Sequence, residues 1–312
     1  MGAVRSLAGI AASAVLLAAF IVRERRAAHP MLDVRLFRNM RFSAASGAVT
    51  VSFFTLLGFI FLMTQYFQFV RGYGPLSAGV RLLPVALAVG AGSVAGTQLA
   101  VRAGTKLIVT IGLVAMAGFY GWVAATASAT LSYDIIAVQM VLYGLGMGLT
   151  SAPATDSIMG AISRAKAGVG SAVNDSTRLL GGTLGVAVLG SIFASVYGSR
   201  LTATLPAGVP SRVAAIAHQS VGAAYAAAGK IAALGHPALG QALQHASANA
   251  FLRGLTIGAL VAGCIAAAGA VLAVLFLPAQ PARPATPAAD EAATAEGGRV
   301  AETQAHPASA AR

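Results

Sequence analysis

The chain has 312 residues, of which 57% are hydrophobic and only 10% are charged. Soluble domains carry roughly 25% charged residues, so most of this surface faces something other than water. The net charge of +12 would suggest nucleic acid in a soluble protein, but here the basic residues fall in short clusters between apolar runs, as in membrane proteins, and we expect no nucleic-acid partner.

Seven apolar stretches are long enough to be membrane-spanning helices, each of which needs about 20 residues to cross roughly 30 Å of hydrocarbon. Only a helix satisfies all of its own backbone polar groups within one segment in lipid. The sequence therefore predicts an all-α membrane protein with about seven transmembrane helices. Their approximate bounds are 3–22, 43–69, 76–101, 106–127, 133–158, 171–197 and 252–277.

Basic residues gather on one side of this predicted bundle. The connector 23–42 carries six arginines, whereas the short connectors on the opposite side offer Arg71 alone. Because cytoplasmic loops are enriched in lysine and arginine, we predict a multi-pass protein of the cell membrane with its N-terminus outside and its C-terminus in the cytoplasm. The other basic connectors on the predicted cytoplasmic side contain Arg102 with Lys106, and Arg164 with Lys166.

Two segments are predicted to lie outside the membrane. Residues 198–250 read as a long external loop, and the stretch 213–234 within it is predicted to be a surface helix, rather than an eighth span, because it contains polar and basic residues. The tail 278–312 is rich in Pro, Ala, Thr and Glu and is predicted to be disordered in the cytoplasm. Because an odd number of spans that starts outside is unusual, we expect the chain to be the rear portion of a longer protein.

Charged side chains inside the predicted spans are few. Each costs about 2.5–3.5 kcal/mol to insert, so each is a candidate for function. Arg81 lies near the start of the third span, from which its long side chain could reach the outer interface. Asp156 lies near the inner end of the fifth. Asp175 and Arg178, three residues apart in the sixth, share a helical face and are either a structural ion pair or a gate that breaks and re-forms.

Uncharged residues in the spans suggest further sites. Gln65 and Gln68 share a face of the second span, where they could line a polar cavity or form hydrogen bonds between helices. Pro84 and Pro153 are expected to kink or interrupt their helices. Glycine pairs four residues apart are predicted to let helices approach closely. These pairs are Gly92 with Gly96, Gly144 with Gly148, Gly181 with Gly185, and Gly254 with Gly258.

Enzyme chemistry finds little support in the sequence. All five histidines lie in predicted loops or in the tail, and no glycine-rich phosphate loop with a following lysine is present. The single cysteine, Cys264, lies in an apolar run and is predicted to be a small packing residue. No metal-ligand spacing appears. We therefore predict no catalytic residue, no metal site and no cofactor.

Four stretches together resemble the C-terminal half of the fourteen-helix drug:proton antiporters of the major facilitator superfamily. The resemblance implies that 1–22 is a linker helix, 23–42 a cytoplasmic connector and 43–277 a six-helix transporter domain. The stretches are HPMLDVRLFRNMRF (29–42), FLMTQYFQFVRGYGPLSAGVRLLPVA (61–86), YGLGMGLTSAPATDSIMGAI (143–162) and KAGVGSAVNDSTRLLGGTLGVAVLGSIF (166–193).

Several individual residues match this family. Asn174, Asp175 and Arg178 fall on the family's usual Asn-Asp and Arg at the start of the domain's fifth helix, and Arg81 and Pro84 match its Arg and Pro. The chain departs from the family at VRAGTK (101–106), where the basic ends of a superfamily loop remain but its acidic member is absent. A charge-relay role for this loop is therefore in doubt.

The resemblance also implies a function. Such transporters rock two six-helix domains about a midplane site and exchange protons for drugs or other amphipathic small molecules. The expected partners are the lipid bilayer, a small-molecule substrate and an N-terminal transporter half, without which the chain is expected to be inactive, and the expected coupling ion is the proton. Two alternatives stay open, namely an exporter of an endogenous metabolite on the same scaffold and a non-transporting membrane partner protein.

Overall fold

The computed structural model describes residues 37–162 and 167–278, together with scattered positions between 9 and 23. Much of the predicted first span, most of the basic connector and the predicted tail therefore lie outside the described residues. Within the described part, every regular element is a helix. The helices are α1 (Met40–Gln65, continued as a π-helix over Tyr66–Val70), α2 (Pro75–Arg81), α3 (Leu83–Ala103), α4 (Thr105–Thr126), α5 (Tyr133–Met159), α6 (Ala167–Thr204), α7 (Ser211–Ala217), α8 (Val221–Ala233) and α9 (Pro237–Phe276).

Six helical stretches of the described chain are long and apolar enough to cross a membrane. They are α1 with its π-helix, α2 with α3, α4, α5, α6 and α9, and they confirm the predicted all-α membrane architecture. The second stretch breaks at Leu82, so that Pro84 falls in the first turn of α3, where the missing N–H of proline leaves no hydrogen bond unmade. Pro153 instead lies within an uninterrupted α5.

The ends of α1 and α3 follow from local chemistry. Asn39 caps α1, and its side-chain oxygen accepts a 3.0 Å hydrogen bond from the backbone N–H of Arg41. Gly104 has φ of 90° and is the single residue between α3 and α4. Because side chains disfavour that backbone region, glycine allows the chain to reverse here within one residue.

The segment predicted as a long external loop, 198–250, is mostly helical. α6 continues to Thr204 and α9 begins at Pro237, with α7 and α8 between them. The predicted surface helix 213–234 is thus divided between two helices, and α8, with 13 residues, is shorter than the roughly 20 needed for a span. The hydroxyl of Tyr197 on α6 donates a 3.1 Å hydrogen bond to the carbonyl of Ala217, which fixes α7 beside α6.

Helices α3 and α5 form a first pair in backbone contact. A Cβ added to Gly92 of α3 would lie 2.7 Å from the carbonyl oxygen of Leu145, and one added to Gly96 would lie 3.0 Å from the Cα of Leu149. The two glycine pairs predicted on these helices therefore belong to one interface, with Gly144 and Gly148 facing α3 from the side of α5. Their contacts on α3 are Val85, Ala88, Val89, Gly92 and Ser93.

Helices α1 and α6 form a second such pair. A Cβ on Gly181 would overlap the carbonyl of Thr50, and one on Gly185 would overlap the carbonyl of Phe54. Both contacts are with backbone atoms, which cannot rotate away. The pair Gly254 and Gly258 on α9 instead faces side chains, those of Phe193 and Leu62.

The two backbone-packed pairs meet through side chains in the centre of the bundle. The ring of Tyr143 on α5 stacks on Phe59 of α1 at a centroid distance of 5.0 Å, and its hydroxyl lies 3.2 Å from Oγ1 of Thr55. From α4, Tyr120 donates a 2.6 Å hydrogen bond to the carbonyl oxygen of Thr55. A Cβ on Gly263 of α9 would in turn approach Tyr120. The order α3, α5, α1, α6 therefore forms one layer, and α4 and α9 pack behind it.

Candidate functional site

One arginine joins three helices of the front layer. Arg178 projects from α6, its Nη2 donates a 3.2 Å hydrogen bond to Oγ1 of Thr155 on α5, and its guanidinium carbon lies 5.2 Å from the ring centroid of Phe53 on α1. Thr155 donates to Oδ1 of the buried Asn174 at 3.3 Å. We call these four residues the Arg178 junction.

The Arg178 junction is incompletely satisfied. The Nε atom of Arg178 is buried and has no hydrogen-bond partner in the described structure. A buried polar group without a partner costs about 1–3 kcal/mol, and more when it is charged. Native proteins rarely retain such a group, so it suggests a state or a ligand in which this N–H is bonded.

The two acidic candidates near the junction lie on the surface. Asp175 and Asp156 are both exposed, and neither forms a salt bridge with Arg178 within the described residues. The structural ion pair considered for Asp175 and Arg178 is therefore not formed in this structure. Instead, Arg178 turns inward to Thr155, which is adjacent in sequence to Asp156 and which the sequence did not single out.

The glutamines of α1 are half-buried. Gln65 donates to the carbonyl oxygen of Phe61, four residues earlier in its own helix, at 3.4 Å. Neither Gln65 nor Gln68 forms a side-chain hydrogen bond to another helix within the described chain. Their lining of a polar cavity stays a prediction.

Polar contacts also mark the two ends of the bundle. At one end, Nε of Arg41 at the start of α1 donates a 3.0 Å hydrogen bond to Oγ of Ser157 near the end of α5. At the other end, Nη1 of Arg71 donates to the carbonyl oxygens of Ala129 and Leu131 at 2.9 and 3.0 Å. We call these the Arg41 end and the Arg71 end.

Tyrosines surround the arginines at the Arg71 end. Arg71 donates to the hydroxyl of Tyr73 at 3.3 Å, and this hydrogen bond lowers the pKa of Tyr73 and raises that of Arg71. The guanidinium carbon of Arg81 lies 4.0 Å from the ring centroid of Tyr73 and 5.7 Å from that of Tyr133. Such cation–π contacts contribute about 0.5–1 kcal/mol at exposed sites.

This cluster therefore connects the segment after α1, the end of α2 and the start of α5 through tyrosine side chains that the sequence analysis did not single out. The signal was present, since tyrosines are enriched where membrane spans meet water. Arg81 reaches the end of the bundle, as a snorkelling side chain would.

No group of three His, Cys, Asp or Glu side chains that could hold a metal ion occurs among the described residues. Cys264, predicted to be a packing residue, is exposed on α9. That prediction was wrong, because a thiol is apolar enough to face lipid as well as a protein core.

Comparison with known proteins decides the family of this six-span bundle. The sequence profile described as Major Facilitator Superfamily matches residues 4–186, more than half of the chain. The chain belongs to the major facilitator superfamily. This membership confirms the resemblance found in the sequence, and it makes the protein an integral membrane protein of a transporter family.

Relatives within this superfamily include drug exporters. The chain is 33% identical to the multidrug efflux pump LfrA of Mycolicibacterium smegmatis over 261 residues, which cover 83% of the chain and 50% of LfrA. It is 30% identical to the tetracenomycin C resistance and export protein of Streptomyces glaucescens over 280 residues, which cover 88% of the chain and 51% of that protein. The methyl viologen resistance protein SmvA of Salmonella typhimurium is 33% identical over 241 residues, 77% of the chain and 47% of SmvA. The chain spans about half the length of these relatives.

Proposed function

We propose that this chain forms a six-helix half of a proton-coupled transporter that exports drugs or other amphipathic small molecules by alternating access. The observation that carries the proposal is the Arg178 junction, in which a guanidinium with an unbonded, buried Nε lies where α1, α5 and α6 meet. The similarity to proteins named for multidrug efflux supports it. The transporter needs no metal or organic cofactor in this proposal, and the proton is the coupling ion.

The Arg178 junction acts as a gate in this proposal. In the conformation described here, Arg178 bonds Thr155 and leaves Nε free for an acceptor. A hydrogen bond to a charged group contributes about 1.5–3 kcal/mol, which changes a conformational equilibrium roughly 10- to 150-fold. An acceptor that reaches Nε in only one conformation would therefore be enough to favour that conformation.

A second six-helix domain is the proposed partner of the face that bears this junction. Phe53 lies on the same face of α1 as the exposed Leu57 and Ile60, because these positions follow each other at helical spacing. Substrate sites of such transporters lie between two helical repeats near the bilayer midplane. The proposed pathway thus runs between this face and the second domain, with Gln65, Gln68 and Asp156 as candidate lining residues.

The orientation proposed for the bundle places the Arg41 end in the cytoplasm. Arg38, Arg41, Arg102 and Lys106 lie at this end, in keeping with the positive-inside rule. Labelling tests it in a Cys264→Ser background, with single cysteines introduced at the exposed positions Arg102 and Thr130 at opposite ends. A membrane-impermeant maleimide added outside should label Thr130→Cys and not Arg102→Cys. The reverse pattern would overturn the orientation.

The function is tested in cells that carry the intact gene. We expect deletion of the gene to raise the accumulation of a fluorescent cationic dye, and a protonophore to remove the difference between the two strains. Restoring the gene with Arg178→Ala should not restore efflux, whereas Asp175→Ala should restore it. Unchanged dye accumulation after deletion would contradict a drug-export function.

A narrower export function is a second candidate. The name of the relative from Streptomyces glaucescens specifies one compound, tetracenomycin C, rather than many drugs. If this chain serves one endogenous metabolite, deletion should leave dye accumulation unchanged and lower the amount of one compound in the medium, measured by comparative mass spectrometry of culture supernatants.

A further inference from the structure

A crevice at the Arg41 end opens between the start of α4 and the end of α9. Its volume is about 270 Å³, and a separate crevice of about 380 Å³ lies between α1 and α9. Of these two crevices, only the smaller is lined by a basic side chain among the described residues. The smaller crevice is formed by Ala103, Lys106, Leu107, Thr110 and Val274. Leu107 and Val274 remain 51% and 43% exposed, so the crevice opens on the apolar outer surface of the bundle.

Lys106 has no acidic neighbour in sequence on either helix. The chain contains no Asp or Glu between Asp33 and Asp134, and none between Asp175 and Asp290, so α4 and α9 carry no carboxylate. The nearby hydroxyl of Thr110 is uncharged and donates to the backbone carbonyl oxygen of Lys106 at 2.8 Å, so it does not neutralise the lysine. A half-buried lysine, whose ammonium has three donors, therefore lines a largely apolar crevice at the end of a span.

We propose that this crevice binds an anionic phospholipid. The phosphate of the headgroup bonds to Nζ of Lys106, and an acyl chain lies along Leu107 and Val274. Basic pockets between spanning helices are suited to anionic headgroups, because the lysine supplies charge at the depth of the phosphate while the walls below remain apolar. A free phosphate ion would gain only the first of these interactions.

The larger crevice on the other side of α9 provides an internal contrast. It lies between α1 and α9, and none of the described residues that line it is basic. An acyl chain that enters this larger crevice gains apolar contact, but the lipid headgroup finds no basic side chain among the described lining residues. The larger crevice is therefore not expected to distinguish one headgroup from another. Headgroup selectivity is therefore assigned to the α4–α9 crevice alone. The larger crevice, between α1 and α9, is lined by Met40, Ser43, Ala44, Gly47, Ala48, Thr50, Val51, Gly269, Leu272 and Phe276.

Native mass spectrometry of the purified full chain tests the proposal. The protein is mixed with phosphatidylglycerol or with phosphatidylcholine of identical acyl chains, and the bound fractions are compared. We expect phosphatidylglycerol to bind about fivefold more tightly, the factor expected for one lysine near an anionic headgroup. Lys106→Ala should remove this preference and Lys106→Glu should reverse it, whereas the control Lys230→Ala, an exposed lysine on α8, should keep it.

Two further measurements separate the possible results. Val274→Trp, which fills the crevice without changing charge, should reduce the specific binding of phosphatidylglycerol while Lys106 remains. Excess inorganic phosphate should not displace the lipid, because phosphate lacks the acyl contact. Equal binding of the two lipids to the wild type, an unchanged preference in Lys106→Ala, or complete displacement by phosphate would each overturn the proposal. Size-exclusion chromatography confirms that every variant compared is folded and monodisperse.

Discussion

The contact between α3 and α5 predicts a large effect for a single methyl group. A Cβ added by Gly148→Ala would lie 2.5 Å from the carbonyl oxygen of Val89 and 2.6 Å from the carbonyl carbon of Gly92, and would also overlap the backbone nitrogen of Ser93. All three contacts are with backbone atoms of α3. Because no side-chain rotation relieves them, the two helices must separate.

The magnitude follows from a matched control. Gly118 of α4 is also helical, but a Cβ there would meet nothing within 4 Å. Replacing either glycine by alanine adds about 0.5–1 kcal/mol of helix propensity, and this term cancels when the two variants are compared. The remaining difference is the cost of overpacking at Gly148, about 1–3 kcal/mol.

The assay is reversible unfolding of the purified protein by SDS in mixed micelles, followed by the fluorescence of the single tryptophan, Trp122. We expect the transition of Gly148→Ala at a lower SDS fraction than that of Gly118→Ala. The double variant Gly92→Ala with Gly148→Ala should be less destabilised than the sum of its parts, because the second methyl enters a gap opened by the first. Equal midpoints for Gly148→Ala and Gly118→Ala would refute the packing argument.

Three further predictions concern side chains. Tyr120→Phe removes a buried hydrogen bond and should lower the free energy of unfolding by about 1 kcal/mol in the same titration; an unchanged midpoint would contradict it. Arg178→Ala should abolish dye efflux while Asp175→Ala retains it, and equal loss in both would refute the gate. Arg71→Ala should raise the pKa of Tyr73, since the guanidinium favours the phenolate, as ultraviolet titration against Tyr73→Phe would show. Because the pKa of Tyr73 is lower in the folded protein than in the unfolded chain, the contact with Arg71 stabilises the fold when Tyr73 is ionised. This contribution is complete above the ordinary tyrosine pKa and is lost as pH falls through the lowered pKa of the folded state.

The sequence was sufficient to locate the six spans that the structure describes, but not the ends of the longest helices. Hydropathy places the sixth and seventh spans at 171–197 and 252–277, whereas α6 reaches Thr204 and α9 begins at Pro237. The extensions contain polar residues such as Arg200 and Gln241, which end an apolar run but do not end a helix. Alanine, the strongest helix former, is common in the extension of α9, so this helix continues beyond the predicted membrane boundary.

Sequence alone could identify a residue of the candidate site only where its type, such as a charged side chain, is rare in a membrane span. Charge singled out Arg178, but spacing alone suggested a partnership with Asp175 that the structure does not contain. At 3.6 residues per turn, positions three apart differ by about 60° around the helix. That angle is enough to turn Arg178 toward Thr155 while Asp175 remains exposed. Thr155 itself carried no signal, because threonine is common in spans.

The arrangement of contacts indicates where this domain can change shape. Within the pairs α1–α6 and α3–α5, backbone packs on backbone at glycine, so neither pair can slide without a clash. Between the pairs, the polar contacts include side-chain hydrogen bonds from Arg178 to Thr155, from Arg41 to Ser157 and from Tyr143 to Thr55. Such bonds contribute only about 0.5–3 kcal/mol each and can be exchanged for others. A conformational change within this domain should therefore separate α1 from α5. The unbonded Nε of Arg178 lies beside this contact between the two helices.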